Sequence, residues 1–228
     1  MIGIISAMQI ENDEILKLCR DVKKKVIASH DFYEAVLSDE KVVLALSGCG
    51  KTNAAITTTL MMEHYPIDVI LNIGTAGGLK KEEKVLDCVL STSVVQHDFD
   101  TSALDGENGK GIFYSADPQL LNLVKKNADE MKIPFHLGLI ASGDQFVSTP
   151  EQVEKILHDF PDSLCAEMEA GGIAAVANNY GVPFVVLRSL SDVAVKEGNE
   201  MDFMEYAKTA SKRSAELCEK CVNQYKRK

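Results

Sequence analysis

Short runs rich in Val, Ile and Leu alternate with amphipathic segments from one end of this 228-residue chain to the other. Uninterrupted apolar runs suit strands covered on both faces, and segments with a 3.6-residue period suit the helices that cover them. Strand candidates fall at 1–6, 25–29, 32–38, 41–47, 68–73, 85–96, 136–142, 163–168 and 183–190. Helical patterns occupy 10–20, 51–65, 117–131, 150–159, 169–180 and 200–225. Pro66 closes the second helix, while Thr149 and Pro150 supply the cap and first position of the fourth. Residues 25–47 read instead as a meander with turns near His30–Asp31 and Ser38–Glu40, so the sheet is expected to be mixed. No Pro/Ser-rich linker or internal repeat divides the chain, and one three-layer α/β domain over 1–228 is the economical reading. The polar, glycine-rich stretch 101–111 reads as a long loop bordering a site.

Composition removes several function classes. With 24 Lys+Arg against 34 Asp+Glu the net charge is -10, so phosphate-backbone attraction to nucleic acid is not expected. The run Lys23–Lys25 reads as a solvated turn or strand edge. No stretch reaches the roughly 18 apolar residues of a membrane helix, and the N-terminus lacks the basic start of a signal peptide. Cysteines 19, 49, 88, 165, 218 and 221 lie scattered in apolar contexts, as expected of free thiols in a reducing cytoplasm. Cys218 and Cys221 form a single CxxC inside an amphipathic C-terminal segment, which is weak grounds for metal or redox chemistry.

The chemistry-bearing residues sit where apolar runs end. Glu11, Glu169 and Asp192 each follow such a run, and α/β sheets bind ligands beyond the carboxyl ends of their strands. Three convergent carboxylates without companion metal ligands point to acid–base work on a hydroxyl-rich substrate. Glu167 and Glu169, two apart in extended chain, project together. Gly171 and Gly172 each cost about 1 kcal/mol relative to Ala in a helix, which signals tight packing there. Ser191–Asp192 reads either as a helix cap or as a buried acid whose neutral form is favoured.

Three glycine-rich segments follow strands. Ser47–Thr52 resembles the end of a P-loop, but Ala45 stands where the pattern needs glycine and no Mg-binding aspartate partners it. It reads better as a turn that brings backbone to a ligand at a helix N-terminus. Asn72–Gly78 reads as a tight turn on which a flat ligand lies directly against backbone. Ser142–Phe146 repeats the theme, with Phe146 either stacking on a heterocycle or filling the core. His97–Asp100 reads as loop structure.

In order, the blocks GIISAMQIE (3–11), SGCGK (47–51), NIGTAGGL (72–79), SGDQF (142–146), AEMEAGGIA (166–174) and VPFVVLRSLSD (182–192) resemble the nucleoside phosphorylase/nucleosidase superfamily. Within it they look like the bacterial 5'-methylthioadenosine/S-adenosylhomocysteine nucleosidases. The resemblance implies a three-layer α/β/α sandwich on a mixed sheet, usually a homodimer, acting without cofactor or metal on a small adenine nucleoside. It implies that Glu11 activates the attacking water, and that Asp192, oriented by Ser191, protonates adenine at N7. Glu169 would hold the ribose hydroxyls, Glu167 would stand beside it, and Met168 would pack on the sugar. Phe146 would stack on adenine, with Val147 backbone reading its edge. Met8, Thr75, Ala76 and Gly77 would complete the ribose and base walls, and Phe203 would line the 5' pocket.

Cys49 and Thr75 replace residues that in the family are commonly Ile or Val and Ser. The 101–111 segment does not closely match the family's loop that caps the neighbouring subunit's 5' pocket, which leaves the 5' group open, a futalosine-type nucleoside included. Phosphorylases of the superfamily present arginines to phosphate. Here Asn72 and the neighbourhood of Glu11 hold those stations, and of the four arginines only Arg188 lies near a motif. Water is therefore the expected nucleophile, with a phosphate-dependent phosphorylase or a non-catalytic P-loop-like module as the alternatives.

Overall fold

The computed structural model describes residues 1–194 and 199–225, the side chains of 199–204 excepted. In chain order the elements are β1 (Ile2–Ser6), α1 (Gln9–Leu16), β2 (Arg20–Ile27), β3 (His30–Leu37), β4 (Glu40–Leu46), α2 (Lys51–His64), β5 (Val69–Gly78) and β6 (Cys88–Gln96). There follow α3 (Ser102–Asp105), β7 (Phe113–Ser115), α4 (Pro118–Glu130), β8 (Phe135–Ser142), α5 (Pro150–Asp159), β9 (Ser163–Glu167), α6 (Ala170–Tyr180), β10 (Phe184–Val193) and α7 (Asn199–Gln224).

All ten strands belong to one mixed sheet. β2, β3 and β4 form the expected antiparallel meander, and β1 and β5 continue it in parallel. Beyond β5 come β10, β6, β8 and β9 in turn, and β9 pairs back onto Gly77 and Gly78 of β5. Five strands thus close into a ring, with β5 shared between ring and open sheet.

The uninterrupted apolar runs are explained by cover on both faces. Ile2, Ile4, Val69 and Leu71 pack under α1, α4 and α7, against Ile15, Leu120, Val124 and Leu217. The alternate residues Ile5 and Ile70 pack under α2 and α6, against Ala54, Met61, Ile173 and Ala177. A third cluster seats Val153 and Ile156 of α5 on Val95, Leu139 and Ala141. The three layers expected from the sequence are present.

Several boundaries differ from the periodicity reading. The first helix stops at Leu16 because Arg20 already begins β2. The hairpin turn falls at Ala28–Ser29, both in the left-handed region (φ 46° and 68°), rather than at His30–Asp31. Leu86, also left-handed at φ 72°, delays β6 to Cys88. The glycine-rich 72–78 segment is not a turn; it is the second half of β5, extended throughout. β10 likewise runs through Ser191 and Asp192, so neither caps a helix. Stretch 101–111 carries α3, a 3₁₀ turn at Gly106–Gly109 and a backbone bridge between Asp100 and Lys110. Lys23–Lys25 do lie on an exposed edge strand, where charge discourages sheet-to-sheet pairing. Among the described residues no helix is long and apolar enough to cross a membrane.

Gly172 meets the expectation of tight packing. A Cβ there would lie 2.2 Å from the Lys51 carbonyl oxygen, so the approach of α6 to α2 depends on its absence. Gly172→Ala is expected to cost about 1–3 kcal/mol through overpacking. Urea unfolding should show this as a lower midpoint with the slope unchanged; an unchanged midpoint would mean the two helices separate freely.

Candidate active site

At the carboxyl ends of β1, β5, β9 and β10 lies a half-open cleft. Met8, Glu11, Thr75, Ala76, Gly77, Phe146, Val147, Glu167, Met168, Glu169, Ser191 and Asp192 all line it. Phe203 falls among the side chains outside the described residues. Ala7, Cys49, Gln145, Ala166 and Arg188 also line the cleft; Cys49 and Gln145 fall in the glycine-rich segments read as approaching a ligand, and sequence reasoning assigned none of the other three to it. No residue of 101–111 does so, against the reading of that stretch as a border of the site.

Glu11 is placed by the start of α1. Its Oε2 accepts the N–H groups of Ala7 (2.9 Å) and Met8 (3.0 Å), turning back onto the N-cap as the third residue of a capping box does. Its Oε1 accepts the N–H (2.8 Å) and hydroxyl (3.2 Å) of Thr75. Four donors from β5 and the β1–α1 turn therefore fix one carboxylate at 2 % exposure.

Glu167 and Glu169 do project to one place, and the reason is Arg188. This guanidinium, 1 % exposed, pairs closely with Glu167, lies 3.5 Å from Glu169, and donates to Asn72 Oδ1 (3.0 Å) and the Thr75 carbonyl (3.3 Å). Burial alone would lower the Arg188 pKa, but the surrounding carboxylates of Glu167, Glu169 and Glu11 outweigh it and raise it further. Glu167 also accepts the N–H groups of Glu169 and Ala170 at the head of α6. Its oxygens are thus committed to holding the site together. Glu169 accepts the Gly50 N–H at 3.1 Å. Burial pushes the Glu169 carboxyl up to about 7, with Glu167 and Glu11 adding to the rise, while Arg188 and the Gly50 N–H oppose it.

Asp192 is aimed by an irregularity. The register between β10 and β5 shifts between Leu190 and Asp192, leaving Ser191 as an extra residue. Regular alternation would send Ser191 and Asp192 to opposite faces; the bulge lets both line the cleft. The Ser191 hydroxyl donates to Asp192 Oδ1 at 2.9 Å. A Cβ on Gly77 would sit 3.0 Å from Asp192 Oδ2, so that glycine makes room for the carboxylate.

The P-loop-like turn is occupied from within. Its Gly50 N–H binds Glu169, its Lys51 N–H binds Asp144 (2.7 Å), and the Lys51 ammonium pairs with Asp98 (2.7 Å). Asp98 accordingly has a structural place in the His97–Asp100 loop. The loop after β8 is secured at its far end by a capping box, with Gln152 accepting the Ser148 and Thr149 N–H groups (2.9 and 3.0 Å). Phe146 is 47 % exposed and stands at the cleft, so the core reading of this ring fails. Burial, reinforced by Glu169 and Glu11, raises the Cys49 thiol. Cys218 and Cys221 are buried in α7, and burial holds both thiols protonated, Cys221 at about 12. Among the described residues no three His, Cys, Asp or Glu side chains are grouped to hold a metal ion.

Residues 1–223 match the family model described as "Phosphorylase superfamily", and the chain belongs to that superfamily. Within it, the chain is 40% identical over 221 residues to the 5'-methylthioadenosine/S-adenosylhomocysteine nucleosidase of Staphylococcus carnosus, covering 95% of this chain and 96% of that one. The nucleosidase of an Exiguobacterium species is 41% identical over 224 residues, at 95% and 94% coverage. Among solved structures, the Neisseria meningitidis nucleosidase in complex with methylthio-immucillin-A superposes with a TM-score of 0.93 at 33% identity, covering 98% and 99% of the two chains. The futalosine hydrolase of Helicobacter pylori superposes with a TM-score of 0.92 at 34% identity, covering 98% and 97%.

The raised Glu169 pKa has a thermodynamic sign. A carboxyl at about 7 when folded and 4.5 when free contributes stability that is full below 4.5 and lost as pH rises through 7. Glu169→Gln should therefore raise the denaturation midpoint relative to wild type at pH 8, and the difference should shrink as the pH falls from 7 towards 4.5. A gap independent of pH would remove burial of the charge as its cause.

Proposed function

We propose that this protein hydrolyses the N-ribosidic bond of 5'-substituted adenosines, methylthioadenosine and S-adenosylhomocysteine among them, releasing adenine. The observation that carries the reading is the convergence of Glu11, Glu169 and Asp192 on one cleft. Full-length similarity to nucleosidases supports the substrate class.

Each residue has a role the chemistry requires. Breaking the bond between C1' and N9 leaves positive charge on the sugar and electrons on adenine, as glycoside hydrolysis leaves charge on an oxocarbenium-like ring. Asp192, oriented by Ser191, gives its proton to N7, so adenine leaves neutral. Glu11 takes a proton from water as the oxygen bonds to C1'. Glu169 accepts from the ribose hydroxyls, with Glu167 and Arg188 fixing its position and Met168 packing on the sugar. Phe146 stacks on the base, Val147 backbone reads its edge, and Met8, Thr75, Ala76 and Gly77 form the walls. Phe203 is assigned to the 5' pocket on the resemblance alone.

Water, not phosphate, is the nucleophile in this reading. The cleft holds one guanidinium, and Glu167 and Glu169 already pair with it. With Glu11 beside them, the lining carries more carboxylate than cation even with Asp192 holding its proton, which repels phosphate and favours positive charge on the sugar.

The superposition on a futalosine hydrolase supports a second substrate, a futalosine-type purine nucleoside, at the same catalytic residues. We further propose one domain over 1–228, a homodimer and a cytoplasmic setting. The exposed apolar side chains Phe99, Leu104 and Phe113 support a covered surface, and six free cysteines support a reducing compartment.

Methylthioadenosine, adenosylhomocysteine, 5'-deoxyadenosine, inosine and a futalosine-type nucleoside, each with and without phosphate, test this directly. Adenine release should not depend on phosphate; formation of ribose 1-phosphate would replace hydrolysis with phosphorolysis. Asp192→Asn should lower kcat by about 10²–10⁴ while still binding substrate, and Glu11→Gln should stall water attack. Near-normal turnover in Asp192→Asn would remove the acid role.

A further inference from the structure

Lys51, the first residue of α2, and Asp98 and Asp144, from two separate loops, bond to one another in a closed circuit. The Lys51 ammonium lies 2.7 Å from Asp98 and 3.2 Å from Asp144, and the Lys51 N–H donates to Asp144 Oδ1 at 2.7 Å. Asp98 Oδ2 accepts the Asp144 N–H at 2.8 Å, which closes the circuit. The Lys51 and Asp98 side chains are 13% and 31% exposed, so solvent screens that pair less than an open surface pair, while Asp144, at 49%, is more open to it.

None of the three lines the cleft, yet each end of the network touches something that does. Asp144 belongs to the loop that carries Gln145, Phe146 and Val147 to the wall. Gly50, adjoining Lys51, holds Glu169 through its N–H. Beneath the same loop, a Cβ on Gly143 would meet His97 Nε2 at 2.2 Å, so the loop rests directly on the residue beside Asp98. Phe146 is half exposed, and burial alone does not fix its position.

We propose that Lys51, Asp98 and Asp144 are positioning residues: together they set the 143–147 loop against the N-terminus of α2, so that base platform and sugar carboxylate stand at the separation one purine nucleoside requires. This rests on the reading of the cleft as a nucleoside site. Charge-assisted hydrogen bonds are the strong ones, and losing one here misplaces the loop without removing any group that touches substrate.

The test uses the full chain with adenine as the probe in titration calorimetry and methylthioadenosine in steady-state kinetics. Asp98→Asn and Lys51→Met should raise the adenine Kd and the KM by about tenfold with a smaller fall in kcat. Lys51→Arg, which keeps the charge but not the ammonium geometry, should fall between Lys51→Met and wild type on both. Should Lys51→Met fail to fold, Asp98→Asn carries the test, because its carboxylate is 31% exposed and tolerates the change. An adenine Kd within twofold of wild type in Asp98→Asn overturns the proposal, whatever happens to thermal stability. A wild-type protein that neither binds adenine nor releases it overturns the functional reading and this inference together. An active wild type with indifferent variants overturns only the clamp.

Discussion

Arg188 is the interaction on which the site depends. A guanidinium at 1 % exposure carries a desolvation penalty of several kcal/mol, repaid only by charged and polar partners in good geometry. Its partners come from three elements: Asn72 and Thr75 on β5, Glu167 at the end of β9, and Glu169 at the head of α6. Removing the cation would leave two buried carboxylates facing each other, so the strand ends hold their spacing because Arg188 is there. The strand opposite must make room for it. Gly74 pairs with Arg188 across the ladder, and a Cβ at Gly74 would fall 2.2 Å from the guanidinium. Gly74 and Arg188 are one feature written at two distant positions.

The same cation decides the electrostatics of the cleft. Glu11, Glu167 and Glu169 all act on Arg188, and its charge is spent within the protein. A site where Glu11, Glu167 and Glu169 surround one committed guanidinium offers nothing to an incoming anion. It favours cationic character at the sugar, and this is the direction in which N-ribosidic cleavage moves charge. The absence of an arginine-rich phosphate station was visible in the sequence. That the one nearby arginine is internally neutralised is a property of the fold, since Glu167 and Glu169 reach it only across the sheet.

Legibility follows how local each feature is. The strands of the inner sheet were plain because residues such as Ile4 and Ile5 face different helical layers and must both be apolar. The Thr149–Pro150 start of α5 was plain because a cap and a fixed φ act within a few residues. The Asn72–Gly78 run was misread as a turn, since glycine in a strand and glycine in a turn look alike until the side chains opposite are known. Its glycines admit Arg188, Asp192 and Glu83 rather than only a ligand. Arg188 itself carried no local mark: it lies 21 and 19 residues from its carboxylate partners and 116 from Asn72. Likewise the bulge at Ser191 is a mismatch between two strands, and one strand's sequence cannot display it.

The P-loop-like turn shows why a motif needs its surroundings before it names a function. A glycine turn leading into a helix presents N–H groups and a positive dipole end, a combination that attracts an anion whatever its source. In a nucleotide-binding protein the anion is phosphate. Here the Gly50 and Lys51 N–H groups are taken by the carboxylates of Glu169 and Asp144, and the ammonium that would reach a phosphate is held by Asp98. Of these three carboxylates, Glu169 lines the cleft and Asp144 belongs to the loop whose next three residues do. Physical chemistry that elsewhere binds a ligand is used in this fold to fix the residues that would bind one, and the four residues Ser47–Gly50 leading into Lys51 read the same in both cases.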